Sequence, residues 1–255
     1  MEDKILATLE RIEWEYGVDI LYACESGSRA WGFVSPNSDY DVRFIYIHPL
    51  EHYLSVGRQR DVIEEPIIDD LDVNGWDLRK ALGLMRGSNP SLLEWLHSPV
   101  VYRCHEWFEY EMRALALQSL DRRALFHHYR SMAGNDWRKV LKADREVPLK
   151  RYFYMLRTAL CALWVMDPDK PAMPPVAFAE LLAQADMDAT VRTTIGELQT
   201  LKASLAEKCS IPRVAVLEDF LADAFARMDA ASPEKRPPMP LAPFDQLLIN
   251  TLRAA

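Results

Sequence analysis

Two apolar segments constrain the fold of this chain more than any other feature. Val18–Cys24 is rich in strand-forming residues, and Tyr40–Ile47 carries valine, phenylalanine, isoleucine and tyrosine side chains on both faces. Strands that are apolar on both faces lie inside a sheet. Two further short strands are predicted at 61–64 and 70–73, and an amphipathic helix over residues 4–16. The first hundred residues are therefore expected to form a small mixed sheet with flanking helices.

The character of the sequence changes near residue 105. Alanine, leucine, arginine and glutamate dominate from there, and the apolar period is helical to about residue 229. The predicted helices cover 105–119, 121–142, 149–166, 176–185, 190–208 and 212–229. Five prolines between Ser232 and Pro243 predict an extended tail. The expected fold class is α+β followed by an all-α helical domain, with domains at 1–104 and 105–230 and the tail at 231–255.

Composition limits the class of protein and the kind of partner. Thirty basic and 38 acidic side chains leave a net charge of −8, so strong non-specific nucleic-acid binding is not expected. The four cysteines form no C-x-x-C pair and are expected to be small buried residues in a reducing cytoplasm. The acidic N-terminus lacks a signal-peptide pattern, and the longest apolar run, Ala159–Met166, is too short to span a bilayer. A cytoplasmic protein without membrane contact is expected.

The segment between the two apolar strands carries the most informative polar pattern. Gly27-Ser28 follows the first strand, ten residues intervene, and the second strand opens with Asp39-Tyr40-Asp41. Residues i and i+2 of a strand project to the same face, so Asp39 and Asp41 are expected side by side. Such a pair needs a cation, and Mg²⁺ is typically held by one or two carboxylates plus phosphate oxygens. Capping of the preceding turn would explain Asp39 alone, but it does not explain Asp41 inside an apolar strand.

The Gly27-Ser28 turn complements this carboxylate pair. A glycine at a strand-to-helix turn lets the backbone approach a phosphate closely. The Ser28 hydroxyl and the backbone amides that follow can donate to phosphate oxygens, helped by a helix N-terminus, and Arg29 adds positive charge. The turn is not a Walker P-loop, because no GxxxxGK[ST] occurs in the sequence.

The whole pattern resembles the nucleotidyltransferases of the DNA polymerase β superfamily. More narrowly, Ser26–Phe33, Trp76–Leu82 and Asn89–Leu96 resemble the bacterial and phage members called YcgL-like or RNA-ligase-associated. The resemblance covers most of the chain through about residue 165. It implies a nucleotidyltransferase catalytic domain over 1–104. It also implies an enzyme that moves a nucleoside monophosphate from an NTP, such as ATP, to an acceptor hydroxyl with release of pyrophosphate.

The resemblance also implies a metal site. Mg²⁺ or Mn²⁺ would bind Asp39, Asp41 and a third carboxylate on a neighbouring strand, and the three carboxylates would be catalytic. The family pattern for the third is an acidic residue flanked by apolar residues in a strand, which Asp72 satisfies between Leu71 and Val73. Asp77 is the alternative, although capping of the helix that follows explains it without catalysis.

The nucleotide-binding residues implied by the resemblance are Gly27, Ser28 and Arg29 in the turn and Lys150, Tyr154 and Arg157 in the helical domain. The last three recur at helical spacing and share one face, which could close over a triphosphate. The alternative for them is a solvated face whose aliphatic stems cover apolar surface.

The acceptor stays open at this point. An RNA end is suggested only by the association of the resembled group with RNA ligases. A small molecule, as in the aminoglycoside nucleotidyltransferases, and a protein hydroxyl are the alternatives within the enzyme class. Outside that class, the alternative is an inactive relative that only binds nucleotide or a protein partner. Such relatives usually lose an aspartate of the triad, whereas Asp39 and Asp41 are both present here.

Overall fold

The structure, a computed structural model, describes residues 1–57, 59–143, 145–205, 209–231, 233–234 and 236–254. Within these ranges the chain forms twelve α-helices and seven β-strands. The helices are α1 (Glu2–Tyr16), α2 (Gly27–Trp31), α3 (Leu50–Tyr53), α4 (Leu78–Arg86), α5 (Pro90–Leu96), α6 (Glu106–Ser119), α7 (Arg122–Leu141), α8 (Leu149–Met166), α9 (Phe178–Ala183), α10 (Ala189–Ser204), α11 (Ala215–Ala230) and α12 (Ala242–Ala254). The strands are β1 (Asp19–Glu25), β2 (Tyr40–Ile47), β3 (Val62–Glu64), β4 (Leu71–Asp77), β5 (Val101–Cys104), β6 (Glu146–Pro148) and β7 (Ser210–Pro212).

Five strands form one mixed sheet in the order β3-β4-β2-β1-β5. The pair β2 and β4 is parallel, and the other neighbours are antiparallel. The two apolar segments that constrain the fold are the central strands β1 and β2, as the sequence predicts. The fold is thus α+β, a mixed sheet with flanking helices joined to a largely helical part.

Helix α1 covers one face of this sheet. Its buried residues Ile5, Leu9 and Ile12 follow helical spacing and pack into one apolar cluster with residues of β1, β2 and β4, including Phe44 and Val73. Helix α5 lies on the opposite face, where the Tyr22 hydroxyl donates to the Trp95 carbonyl over 2.8 Å. The sheet is therefore covered on both faces, which explains why its central strands are so apolar.

The chain divides into two compact units whose limits differ from the expected domains. The first unit contains 1–30, 39–120 and 237–255, and the second contains 31–38 and 121–236. Helix α6, expected in the helical domain, belongs to the first unit. The first unit also includes the C-terminal segment, so neither unit is one continuous stretch of chain.

The expectation of an extended C-terminal tail is wrong for residues 242–254, which form helix α12. Pro243 lies in the first turn of this helix, where a proline removes no intrahelical hydrogen bond. Phe244 and Leu247 are buried, so packing of an apolar face stabilises the helix. The other prolines of this segment precede the helix.

The second unit is built around α8, which contacts α7, α9, α10 and α11. Most of its side chains are buried, which matches the apolar run at Ala159–Met166. The short strands β6 and β7 pair antiparallel beside it. The helix predicted at 190–208 is observed as α10, and residues 206–208 lie outside the described part of the chain. Among the described residues, no helix has both the length and the apolar character needed to cross a membrane.

The close approach of Gly75 in β4 to Phe44 in β2 generates a stability prediction. A Cβ atom at position 75 would lie 2.1 Å from a carbon of the Phe44 ring. We expect Gly75→Ala to lower the free energy of unfolding by about 1–3 kcal/mol, because the ring must move within a packed core. Chemical denaturation of the purified protein measures this change.

Gly83→Ala is the matched control. Gly83 lies inside α4, and a Cβ atom there would meet nothing within 4 Å. This second substitution should raise the free energy of unfolding by about 1 kcal/mol through helix propensity alone. Equal effects of the two alanines would contradict the packing argument.

Candidate functional site

The register of β2 against β4 brings two carboxylates together. These parallel strands place Asp41 directly opposite Asp72, and Val42 opposite Val73. Because residues opposite each other in neighbouring strands project to the same face, Asp41 and Asp72 share a face while the valines enter the core. Both aspartates are half-buried, with side chains 26% and 29% exposed. The structure thus brings together two of the three carboxylates singled out by the sequence.

Arg43 joins these two carboxylates. Its Nη2 donates to Asp41 Oδ1 over 2.9 Å and to Asp72 Oδ2 over 2.7 Å. Its Nη1 donates to the main-chain carbonyls of Val42, over 3.0 Å, and Asp72, over 2.9 Å. The guanidinium therefore offsets the repulsion between the two negative charges. Sequence reasoning missed Arg43, because its role depends on β4 lying beside β2.

The Gly27-Ser28 turn lies against Asp41. The Ser26 amide donates to the Asp41 carbonyl over 2.8 Å, and Gly27 has a φ of +60°. A Cβ atom at position 27 would lie only 1.9 Å from Asp41 Oδ2. Glycine is therefore required here both by its backbone conformation and by the carboxylate beside it. Ser28, the next residue in the sequence, is buried.

Glu25 holds the backbone of Asp41 in place. The Asp41 amide donates to Glu25 Oε1 over 2.9 Å, and the Tyr102 hydroxyl donates to Glu25 Oε2. Glu25 is 1% exposed, and burial is the main cause that raises the pKa of its carboxyl above the ordinary value. The nearby Asp41 charge raises this pKa further, whereas the two hydrogen bonds oppose the rise. Glu25 was also missed by the sequence analysis, because nothing in its local pattern reports its burial.

Asp39 lies outside the strand. Strand β2 begins at Tyr40, and the Asp39 residue is exposed. Its main-chain carbonyl accepts a hydrogen bond from Arg29 Nε over 3.1 Å, and the Arg29 guanidinium stacks 3.6 Å from the centroid of the Tyr40 ring. These contacts place Arg29 beside the start of β2. The assignment of Asp39 as a metal ligand stays a prediction.

Asp77 is occupied by structural contacts. It is the N-cap of α4, where Oδ1 accepts from the Arg79 amide over 2.8 Å, and Oδ2 accepts from the Tyr53 hydroxyl over 2.6 Å. Asp77 lies five positions after Asp72 along β4, so alternation places their side chains on opposite faces. This geometry favours Asp72 over Asp77 as the partner of Asp41.

The three residues assigned from α8 lie in the second unit and differ in exposure. Arg157 is 1% exposed, with its guanidinium 4.4 Å from the centroid of the Trp31 ring and a hydrogen bond to the Val176 carbonyl over 3.4 Å. Tyr154 meets the same tryptophan edge to face. Arg157 is thus a packed residue of the second unit and not a member of an open cationic face. Lys150 and Tyr154 are half-buried, and their contact with nucleotide stays a prediction.

The carboxylate pair has donor chemistry that suits a divalent metal. Carboxylate oxygens are the hard ligands that Mg²⁺ and Mn²⁺ prefer. Glycine at position 27 keeps clear the space beside Asp41 Oδ2 that a Cβ atom would fill. Across the part of the chain that the structure describes, no three His, Cys, Asp or Glu side chains are arranged to hold a metal ion. Asp41 and Asp72 therefore offer two carboxylate ligands of the kind that a divalent metal prefers, fewer than a complete coordination shell.

Comparisons with known proteins identify relatives of this chain. The sequence profile of the RNA repair pathway DNA polymerase beta family (RlaP) matches residues 1–250. The uncharacterized protein YcgL of Bacillus subtilis (strain 168) is 40% identical over 263 residues, covering 99% of this chain and 96% of that protein. A crystal structure of a nucleotidyltransferase-like protein from Exiguobacterium sibiricum 255-15 is 11% identical and covers 96% of this chain and 79% of that one. Its TM-score is 0.32, which is too low to support a conclusion.

The contact between Gly27 and Asp41 predicts a large effect of a single methyl group. Gly27→Ala combines an unfavourable left-handed backbone with a Cβ atom placed against Asp41 Oδ2. Gly17, the residue that ends α1, has the same φ of +60°, but a Cβ atom there would meet nothing within 4 Å. We expect Gly17→Ala to cost about 1–2 kcal/mol of stability, the backbone penalty alone, and Gly27→Ala to cost more. Denaturant unfolding of both variants measures the difference, and equal losses would contradict the contact.

The raised pKa of Glu25 predicts a pH-dependent stability. The folded protein binds the Glu25 proton more tightly than the unfolded chain does, so this group stabilises the fold fully below its ordinary pKa of 4.5. That contribution is lost as the pH rises through the folded pKa. Glu25→Gln keeps an acceptor for the Asp41 amide and removes the buried charge. We therefore expect the free energy of unfolding of Glu25→Gln, relative to that of wild type, to increase as the pH rises from 4.5 towards neutrality.

Measurement of the free energy of unfolding between about pH 4 and pH 8 tests this expectation, because the carboxyl group titrates within this range. Glu10→Gln is the control, because the Glu10 side chain is 71% exposed and its loss changes the net charge equally. A Glu10→Gln curve that matches the Glu25→Gln curve would assign the effect to net charge instead of to burial.

Proposed function

This chain belongs to the RNA repair pathway DNA polymerase beta family, and we propose that it is a nucleotidyltransferase that depends on a divalent metal. The reaction joins an acceptor hydroxyl oxygen to the α-phosphorus of an NTP. The bond from that phosphorus to the bridging oxygen of the β-phosphate breaks, and pyrophosphate leaves. The hydroxyl proton passes to a base or to solvent.

One observation carries this proposal: Asp41 faces Asp72 across parallel strands, and Asp41 Oδ2 lies against Gly27. A carboxylate pair beside a glycine turn combines the ligands of a metal with a backbone that a phosphate can approach closely. The same three positions were selected from the sequence for these roles, and their proximity in the fold supports the assignment.

Each residue of the site then has a distinct task. Asp41 and Asp72 would hold the metal together with Asp39 and substrate phosphate oxygens. The chemistry that a metal would supply there is neutralisation of the charge that develops on the α-phosphate and a lower pKa of the attacking hydroxyl. Asp72 orients that hydroxyl or helps remove its proton. The Gly27 backbone and the Ser28 hydroxyl bind phosphate oxygens.

We propose an RNA end as the acceptor. The description of the family as part of RNA repair supports this choice over a small molecule or a protein hydroxyl. The net charge of −8 means that any RNA contact must be local, since the chain as a whole repels polyanions. Recognition of a short terminus suits that charge better than binding along a duplex.

Substitution of single aspartates tests the catalytic assignment. The assay incubates the protein with each α-³²P-labelled NTP, Mg²⁺ or Mn²⁺ and RNA with free hydroxyl ends, and it measures label transfer and pyrophosphate. Asp41→Asn and Asp72→Asn should each reduce transfer by roughly 100-fold or more, because each removes a charged metal ligand or the base. Asp77→Asn should transfer near the wild-type rate, since asparagine also serves as an N-cap.

The pattern across variants separates the alternatives. Full activity of Asp72→Asn together with loss of activity in Asp77→Asn would assign the catalytic role to Asp77 instead of Asp72. Transfer to a small molecule or a protein, but not to RNA, would keep the reaction and change the acceptor. Nucleotide binding without transfer to any acceptor would identify an inactive relative. Circular dichroism of each variant confirms that lost activity does not reflect unfolding.

A further inference from the structure

The guanidinium of Arg43 lies between the two carboxylates that the proposed reaction needs. A single nitrogen, Nη2, is within 2.9 Å of Asp41 Oδ1 and 2.7 Å of Asp72 Oδ2. The Arg43 side chain is only 17% exposed, so solvent screens these contacts weakly. The position between the carboxylates is therefore taken by a cation that the chain itself supplies.

We propose that Arg43 is the resident counter-ion of Asp41 and Asp72 in the metal-free protein and competes with the divalent metal for their oxygens. This inference rests on the proposed function, because it concerns the same metal ligands. It assigns a role to a residue that neither the sequence analysis nor the reaction requires.

The competition follows from the identity of the bonded atoms. Asp41 Oδ1 and Asp72 Oδ2 are the oxygens that meet at Nη2, and a metal ion shared by the two residues needs oxygens of both. Mg²⁺ binds oxygen ligands at about 2.0–2.1 Å, so an ion between these two oxygens would occupy the space that Nη2 takes at hydrogen-bond distance. A metal held between Asp41 Oδ1 and Asp72 Oδ2 therefore has to displace Nη2 and break two charge-assisted hydrogen bonds.

Two other hydrogen bonds anchor the guanidinium independently of the carboxylate side chains. Nη1 donates to the carbonyls of Val42 and Asp72, which belong to neighbouring strands. These bonds can persist while Nη2 releases its carboxylate partners. Arginine suits this arrangement because its planar fork presents two nitrogens at a fixed spacing, whereas a lysine offers one nitrogen. The exchange then needs only a local side-chain adjustment.

The test measures metal binding by the full chain without nucleotide. Mn²⁺ is titrated into wild type and into Arg43→Gln, and free Mn²⁺ is followed by electron paramagnetic resonance. We expect Arg43→Gln to bind Mn²⁺ about tenfold more tightly, because the two charge-assisted bonds no longer oppose binding. In the absence of metal the same variant should melt at a lower temperature, since the carboxylates then repel each other. Added Mn²⁺ should raise its melting temperature more than it raises that of wild type.

Two further variants separate the effect of where the positive charge lies from the effect of the net charge. Arg60→Gln removes the same charge from a side chain that is 72% exposed and pairs with Glu64, and it should bind Mn²⁺ as wild type does. Arg43→Lys keeps the charge but not the fork, and its affinity should fall between those of wild type and Arg43→Gln. Arg43→Lys also preserves the test if Arg43→Gln does not fold.

The outcomes distinguish this inference from the proposed function. Equal or weaker Mn²⁺ binding by Arg43→Gln, with normal binding and transfer by wild type, overturns the competition and leaves the reaction intact. Equal gains in Arg43→Gln and Arg60→Gln also overturn it, because net charge would then explain the effect. Absence of Mn²⁺ binding in every variant, wild type included, overturns both the inference and the metal-dependent function.

Discussion

The parallel pairing of β2 with β4 is the constraint on which the candidate site depends. A slip of one residue in this pairing would turn every side chain of one strand to the other face. The apolar face resists such a slip, because Val42 meets Val73 and the Phe44 ring lies over Gly75 in the same register. Asp41 and Asp72 face each other on the opposite side of the sheet as a consequence. The packing of the core thus sets the geometry of the polar face.

The electrostatics of the site differ from what the sequence alone suggests. The sequence predicts that Asp39 and Asp41 form a carboxylate pair that needs a cation. In the folded protein the carboxylate opposite Asp41 is Asp72, and Arg43 supplies a positive charge to Asp41 and Asp72 at hydrogen-bond distance. Burial of an ion pair is stabilising only when the desolvation of each charge is offset by good geometry, and four hydrogen bonds from one guanidinium meet that condition. The two carboxylates are therefore held together by a side chain of the same sheet.

Local pattern was enough to predict the central strands, the long helices and the Gly27 turn, because each depends on residues close in sequence. It could not predict Arg43 or Glu25, since their roles depend on which strands become neighbours and on how deeply they are buried. Helical spacing placed Arg157 correctly on one face of α8, but spacing does not report whether a face is covered, and Trp31 covers it. Helix α12 was missed for a related reason: prolines dominate the composition there, whereas the burial of Phe244 stabilises the helix.

The ten residues between Ser28 and Asp39 are held by more than the strands that flank them. Residues 31–38 belong to the second unit, where the Phe33 ring stacks on Phe153 with 5.3 Å between centroids and the Lys202 ammonium donates to the Ser35 hydroxyl over 2.7 Å. Both Ser35 and Lys202 are buried, so this hydrogen bond is costly to break. The connection is thus a packed segment and not a free loop, which reduces the number of arrangements open to the turn before it and the strand after it. The spacing between Ser28 and Asp39 is therefore fixed by the packing of residues 31–38 as well as by the length of the segment.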